Sequence, residues 1–353
     1  MKKFAVFSGF LGSGKTTTMM ALTRYCTGHG AKAAMISNDL GHGVNLADNR
    51  LAQLSGCNAS EITDNCICYV NEQLADRLDA YYQDGCELVI SDIPGFGVGA
   101  LEHVYHGLTE KYPGRFSLAP FTVLVEPRTV ELLRSGRGGD QEYLYDTQLK
   151  EADLIVLNKR DLLDEGQLAA DLRWLGEAYP LAKTVAISAL KGEGLEELSR
   201  ALLEGEASMR RPDIGYGGEA FRHAMGKMSE LYLQYHAVVC CNDFDGNAYL
   251  SEMAAQVQKE IRDAGFLIPH LKLLAWEPEG DFGKVDLIGT ERAIEVTHRF
   301  TRPCTDIAVV LNASAACPAE TLEKIITGAV DSVSDRYQLE RMVFKKEVLA
   351  MGA

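Results

Sequence analysis

No apolar run in the 353 residues approaches the roughly 20 residues that a helix needs to cross a bilayer. The opening is not expected to be a secretory leader either. Met1-Lys2-Lys3-Phe4-Ala5-Val6-Phe7 breaks at Ser8-Gly9 and reads as a first strand. Basic residues are in deficit, with 35 Lys and Arg against 50 Asp and Glu and a formal net charge of -15. Such a surface repels phosphate backbones and anionic lipid heads, which argues against nucleic acid and membrane partners. Internal repeats and low-complexity tracts are absent. Nine cysteines without a leader point to reduced thiols in the cytoplasm.

Hydrophobic residues make up 46% of the chain and charged residues 24%, enough to build packed cores, and the length suggests two domains. Short apolar runs alternate with helical stretches up to about residue 205. The expected strands are Phe4–Phe7, Ala33–Ile36, Leu88–Ser91, Thr122–Val125, Leu154–Leu157 and Val185–Ile187. Helices are expected between them, at Lys15–Tyr25, Asn71–Tyr82 and Gln167–Ala178. This alternation implies an α/β fold with a mostly parallel sheet over residues 1–205. Pro212 and the glycines 215, 217 and 218 mark a linker at 206–218. A smaller α+β domain, with a ferredoxin-like arrangement as the candidate, is expected over 219–353. Its elements are helices at Glu219–Glu230, Leu250–Ala264 and Ala319–Tyr337. Strands are expected at Ala237–Cys241, Leu271–Trp276, Lys284–Ile288, Ala293–Val296 and Ile307–Leu311.

Gly9-Phe10-Leu11-Gly12-Ser13-Gly14-Lys15-Thr16 fits the P-loop pattern GxxxxGK[ST], between an expected strand and an expected helix. Its glycines let backbone N–H groups turn toward phosphates, and the helix N-terminus adds a positive dipole end. Gly12, Ser13, Gly14, Lys15, Thr16 and Thr17 are therefore candidate phosphate ligands. Lys15 would reach the β- and γ-phosphates, and the Thr16 hydroxyl would bind Mg²⁺. A dinucleotide site is excluded, because the third glycine of that fingerprint is lacking.

Asn158-Lys159-Arg160-Asp161 follows the strand at 154–157. A carboxylate at Asp161 can accept both hydrogen bonds from the N1–H and N2–H₂ edge of guanine, an edge that adenine does not present. Lys159 can lay its stem over the base. A backbone N–H at Ser188 or Ala189 can meet the guanine carbonyl. The nucleotide implied is GTP. Asp92 ends another strand in Asp92-Ile93-Pro94-Gly95, where an acid would hold Mg²⁺ and Gly95 could sense the γ-phosphate. Lys15 and Asp92 are the candidate catalytic residues. Phe96 follows Gly95 where a water-positioning Gln would stand in many GTPases, so the sequence identifies no such residue.

These residues resemble the CobW/UreG/HypB type of metallochaperone GTPase over roughly residues 1–205. The run Gly9–Thr17 is similar to the CobW-type P-loop. Ser37-Asn38-Asp39-Leu40-Gly41 is similar to that group's Asn-Glu-Phe-Gly segment, with Asp39 in place of Glu, which makes Asp39 a further magnesium candidate. Asp92 likewise stands where the family has Glu. Gln148 through Asp161 resembles the family's run into NKxD. Asn65-Cys66-Ile67-Cys68-Tyr69 is similar to its Gly-Cys-Ile-Cys-Cys metal motif, with Tyr69 replacing the last Cys. The part beyond residue 205 does not resemble the usual CobW C-terminal domain.

A Cys-x-Cys pair can direct two thiolates at one soft ion, so Cys66 and Cys68 are candidate ligands for Zn²⁺ or Co²⁺. Cys57 and His42 are weaker candidates, for which packing or solvation is the competing reading. Cys26, Cys86, Cys240, Cys241, Cys304 and Cys317 read as packing residues. His103 and His106 read as solvated histidines on one helix face. The resemblance implies a GTP-hydrolysing metallochaperone or cofactor-insertion protein, serving a metalloenzyme or a corrinoid (cobalamin-related) client. A homodimer is a further candidate. The alternatives are a regulatory GTPase without metal cargo and, less consistent with NKxD, a small-molecule kinase.

Overall fold

The computed structural model describes residues 2–38, 47–63, 65–95, 97–136, 139–239 and 242–351. The chain divides into two compact units. The first contains residues 1–40 and 55–224, and the second contains 41–54 and 225–353. No described helix is long and apolar enough to cross a membrane.

In chain order the first stretch runs β1 (Lys3–Ser8), α1 (Lys15–Gly28), β2 (Ala33–Asn38), α2 (Ala47–Leu54), β3 (Ala59–Ile62), α3 (Asn71–Gln83) and β4 (Leu88–Asp92). A single π-helical segment, Leu101–His106, leads into α4 (Gly107–Lys111). Then come β5 (Thr122–Val125), α5 (Pro127–Ser135), α6 (Gly139–Glu151), β6 (Leu154–Leu157), α7 (Glu165–Ala178), β7 (Lys183–Ala186), α8 (Leu195–Glu204) and α9 (Glu219–Met225). Every pairing in the first sheet is parallel, in the order β3-β2-β4-β1-β5-β6-β7. The central strands β1, β2 and β4 are buried along their whole length, which is why each contains an unbroken apolar run, Phe4–Phe7, Ala33–Ile36 and Leu88–Ile90. The α/β parallel-sheet architecture is as the sequence implied. The short polar strand β3 leaves no apolar run in the sequence, because Ala59-Ser60-Glu61-Ile62 sits at the sheet edge with only Ile62 buried.

The second unit is antiparallel. It runs β8 (Ser229–Val239), α10 (Gly246–Asp263), β9 (Leu267–Trp276), β10 (Phe282–Leu287), β11 (Glu295–His298), β12 (Asp306–Ala316), α11 (Ala319–Arg336) and β13 (Leu339–Ala350). The strand order is β11-β10-β9-β12-β8-β13. Four of these, β13-β8-β12-β9, follow the ferredoxin-like order, with β10 and β11 added as an extra hairpin. Alternate residues Leu231, Leu233, Tyr235 and Ala237 of β8 face one core with Leu250, Val257 and Ile326 from the two helices. Helix α2 groups with this unit. Its Asp48 pairs with Lys272 of β9, and the Arg50 guanidinium lies 4.9 Å from the Trp276 ring centre.

One expectation is corrected here. The helix expected over Glu219–Glu230 stops at Met225, and Ser229 and Glu230 already belong to β8, paired with Ala315 and Ser314 of β12. Gly226 ends the helix, and the alternation that follows serves a strand. The expected strand Ala237–Cys241 is the end of that longer strand, and Cys240 and Cys241 lie outside the described residues.

The stretch between α8 and α9 has no helix or strand, and bonds at several of its residues tie it to the rest of the first unit. Ala207 donates to the Leu118 carbonyl, and Ser208 and Arg210 bind Asp153. Arg211 pairs with Glu102 and Glu110, both at 2.7 Å.

Candidate functional site

The P-loop joins the end of β1 to the start of α1. Gly14 caps the helix with φ 90°, a conformation that favours glycine. Space requires glycine there as well, since a Cβ would fall 2.3 Å from the Asn158 side-chain nitrogen. Ser13 is buried, and its amide bonds the Phe10 carbonyl at 3.1 Å. Gly12 takes φ 84°. The Lys15 ammonium donates to the Gly9 carbonyl and, at 3.5 Å, to that of Phe10, so its head lies over the loop it follows. Thr16 and Thr17 stand on the first turn of α1.

Asn158 is buried at the end of β6. Its Nδ2 donates to the Ser13 carbonyl at 2.9 Å, and its Oδ1 accepts the Ala189 amide at 3.1 Å. One side chain thus ties the phosphate loop, the NKxD turn and the loop after β7 together. Lys159 adopts φ 61°, and its ammonium donates to Glu126 at 2.8 Å. Asp161 follows in a short 3₁₀ turn, Arg160–Leu162. The amide of Ser188 bonds the Glu193 carbonyl at 3.0 Å. Of the backbone donors expected to meet a base, those of Ser188 and Ala189 are therefore already matched to acceptors.

Asp92 is buried at the end of β4, and its Oδ1 accepts the Asn38 amide at 2.9 Å. The Asn38 side chain faces the other way along the chain. Its Nδ2 donates to the carbonyls of Ile62 and Asn65, and its Oδ1 accepts the Ile67 amide at 3.0 Å. Asn38 therefore connects the magnesium candidate Asp92 to the backbone on both sides of Cys66. Asp39 and His42, named from the sequence, lie outside the described residues.

Cys66 and Cys68 are brought together, with their sulfurs 2.8 Å apart. The hydrogen bond to Cys66, followed by burial, holds the Cys68 thiol well above its ordinary range. Cys57 is placed differently, with its sulfur 4.0 Å from the Met20 carbonyl and its thiol raised by burial. Among the described residues no three His, Cys, Asp or Glu side chains form a metal-holding group. Tyr69 points its hydroxyl to that of Tyr216, 2.7 Å away, and the His103 ring packs 4.9 Å from Tyr216. His106 is buried against the Arg210 carbonyl and Arg211. The reading of His106 as solvated is corrected, because the segment after α8 covers it, whereas His103 is half-buried beside Tyr216. Cys26, Cys86, Cys304 and Cys317 are buried, in keeping with packing roles.

Three contributors have no motif of their own. Glu126 receives Lys159, Asn38 bridges two loops, and Gln148 of α6 bonds the carbonyls of Gly95 and Gly97. Asn38 and Gln148 do fall within the segments whose resemblance was noted. Their partners are mostly backbone groups distant in sequence, which no local pattern reveals.

The model of the CobW/HypB/UreG nucleotide-binding domain matches residues 3–185, just over half of the chain. The chain belongs to this family. It is a CobW/HypB/UreG-family GTPase with the family's P-loop fold. Comparison with curated proteins gives no match. Similar solved structures include HypB from Helicobacter pylori in complex with nickel, 19% identical with a TM-score of 0.40, covering 57% of this chain and 85% of that one. The Zn(II)-bound YjiA GTPase from E. coli is 15% identical with a TM-score of 0.37, covering 93% and 98%. HypB from Archaeoglobus fulgidus is 20% identical with a TM-score of 0.36, covering 56% and 87%.

The donors fit the ions that such a family implies. The Thr16 hydroxyl and the Asp92 carboxylate are hard oxygen donors on adjacent elements, a set suited to Mg²⁺. Cys66 and Cys68 bring two sulfurs to one tight turn, donors of the kind that soft ions prefer.

Proposed function

We propose that the protein is a GTP-hydrolysing metallochaperone or cofactor-insertion protein whose client is a metalloenzyme or a corrinoid protein. The observation that carries this reading is the Asn38 bridge between Asp92 and the Cys66–Cys68 turn. A change at the magnesium-holding acid is then mechanically joined to a pair of thiols.

In this reading the amides around Gly12–Lys15 and the α1 N-terminus hold the phosphates. Asp161 reads guanine, and Lys159, anchored by Glu126, covers the base. Bound Mg²⁺, held by Thr16 and Asp92, would neutralise phosphate charge. Lys15 takes up negative charge as water attacks the γ-phosphate in line, without any covalent intermediate on the protein. Turnover is slow. Residues 1–205 act as the GTPase domain, 206–218 as the linker and 219–353 as the client-facing domain, in the cytoplasm. Zn²⁺ or Co²⁺ is the cargo carried by Cys66 and Cys68.

The regulatory-GTPase reading draws support from Tyr69, which stands where a third thiolate would be. Zinc and cobalt titration of the reduced protein and of Cys66→Ser/Cys68→Ser separates the two. Binding lost in the double variant supports a cargo site. Equal binding in both, or none in the parent, leaves a GTPase without cargo.

A further inference from the structure

Helix α6 directs three side chains, spaced three residues apart, toward the loops around β1 and β4. The Tyr145 ring meets that of Phe10 in the P-loop, edge-on at 4.4 Å. Gln148 is only 1% exposed, and its Nε2 donates to the carbonyls of Gly95 and Gly97, each at 3.0 Å. Glu151 accepts the amides of Gly99 at 2.8 Å and Leu101 at 3.2 Å. An amide nitrogen carries two hydrogens, so one group satisfies both carbonyls. One face of α6 thereby holds the acceptors of the segment after β4 with an amide and its donors with a carboxyl group.

On its other side this segment abuts the P-loop. A Cβ on Gly95 would fall 2.6 Å from the Leu11 side chain and 3.1 Å from the Leu11 backbone nitrogen. A side chain at residue 95 would have to push the Leu11 side chain aside, so glycine allows the close approach that Gln148 enforces.

We propose that Gln148 is a positioning residue that holds the Gly95 turn against the P-loop and so sets how strongly the site distinguishes GTP from GDP. The inference rests on the GTPase reading above. The α- and β-phosphates are gripped by the P-loop whatever the turn does. On that reading only a γ-phosphate would extend toward the turn, because Gly95 follows the magnesium candidate Asp92. With Gln148 in place the carbonyls of Gly95 and Gly97 are held before the nucleotide arrives, and without it the γ-phosphate must fix them at a cost in affinity. GDP escapes that cost.

The test measures affinity for a non-hydrolysable GTP analogue and for GDP in the parent, Gln148→Leu, Gln148→Glu and Gln148→Asn. Leucine keeps the bulk and removes both donors. Ionised glutamate presents acceptors to two carbonyls, and asparagine keeps both donors on a shorter stem. For the leucine and glutamate variants the analogue is expected to bind about tenfold more weakly, roughly one net hydrogen bond's worth, while GDP stays within about twofold. Asparagine should fall between these variants and the parent. A purely structural role would weaken both nucleotides alike. Parallel loss, or an unchanged ratio in all three variants, overturns the inference alone. A parent that binds neither nucleotide overturns the GTPase reading with it.

Discussion

Asn158 donates to the carbonyl of Ser13 at 2.9 Å, across 145 residues of sequence, so the motif that reads the base also braces the loop that holds the phosphates. The same side chain accepts from Ala189. Asn158→Ala removes two buried hydrogen bonds, each worth roughly 0.5–1.5 kcal/mol net. GTP and GDP should both weaken by about 5–150-fold, in parallel, since the bracing is indifferent to the third phosphate. Calorimetric titration with each nucleotide checks this. A loss confined to GTP would mean that Asn158 acts elsewhere.

Asp161 sits in the turn whose entry is fixed by Lys159 at φ 61° and by the Arg160 amide on the Ile187 carbonyl at 3.0 Å. Its carboxylate should prefer GTP over ATP by a wide margin. Asp161→Asn should reverse the match and favour xanthosine triphosphate, because one acceptor becomes a donor. Competition binding with the three nucleotides is the measurement. Equal ATP and GTP affinity in the parent would contradict the assignment.

Lys15→Ala should abolish hydrolysis, because the ammonium is the cation that α1 carries into the loop. The parent itself should turn over well below the ~1–100 s⁻¹ typical of kinases. Phosphate release under single-turnover conditions reads both. A fast rate from the purified parent would reveal a water-positioning residue that the sequence did not disclose.

Glu151 gives a pH signature. Burial pushes its carboxyl up from 4.5 to about 7, against the opposing pull of the Gly99 and Leu101 amides. The folded state therefore keeps a proton that the unfolded chain has released. Stability from this group is full below about pH 4.5 and is lost as pH rises through about 7, by roughly 3 kcal/mol at most. Glu151→Gln cannot titrate. It should differ from the parent by an offset at low pH that shifts in the variant's favour toward pH 8. Thermal unfolding of both proteins from pH 5 to 8 checks this, and a pH-independent difference would refute it.

The parts of the site that the sequence revealed are those made by contiguous residues. A P-loop needs its glycines, lysine and threonine in one run, and NKxD needs its asparagine and aspartate on one strand end, so each is visible locally. The parallel sheet was legible for a related reason, since strands buried on both faces leave apolar runs such as Leu88–Ile90. Strand β13 has no such signature because it is an edge strand with Met342 and Phe344 exposed among Arg341, Lys345 and Lys346, so its pattern does not alternate cleanly. Asn38 and Gln148 were invisible as site residues because their chemistry lies in backbone partners brought close only by the fold. The boundary of the helix after residue 219 failed where Gly226-Lys227-Met228 switches the chain from helix to strand.

Asn38 offers a way to break the link without touching a sulfur or a phosphate ligand. Asn38→Ala removes the bonds to Ile62, Asn65 and Ile67 and leaves the backbone bond to Asp92 in place. Metal affinity should then become less dependent on the nucleotide, with GDP affinity close to the parent's. The check is the same pair of metal titrations in both nucleotide states. A dependence as large as the parent's would remove Asn38 from the path.

The most direct test of the central claim is zinc and cobalt affinity measured with a non-hydrolysable GTP analogue and with GDP, alongside nucleotide affinity with and without metal. If the Cys66–Cys68 turn is joined to Asp92, the metal constants should differ by about 5–150-fold between nucleotide states, and metal should shift nucleotide affinity by the same factor. Identical metal affinities in the two states would contradict the coupling and leave a GTPase whose thiols take no part in its cycle.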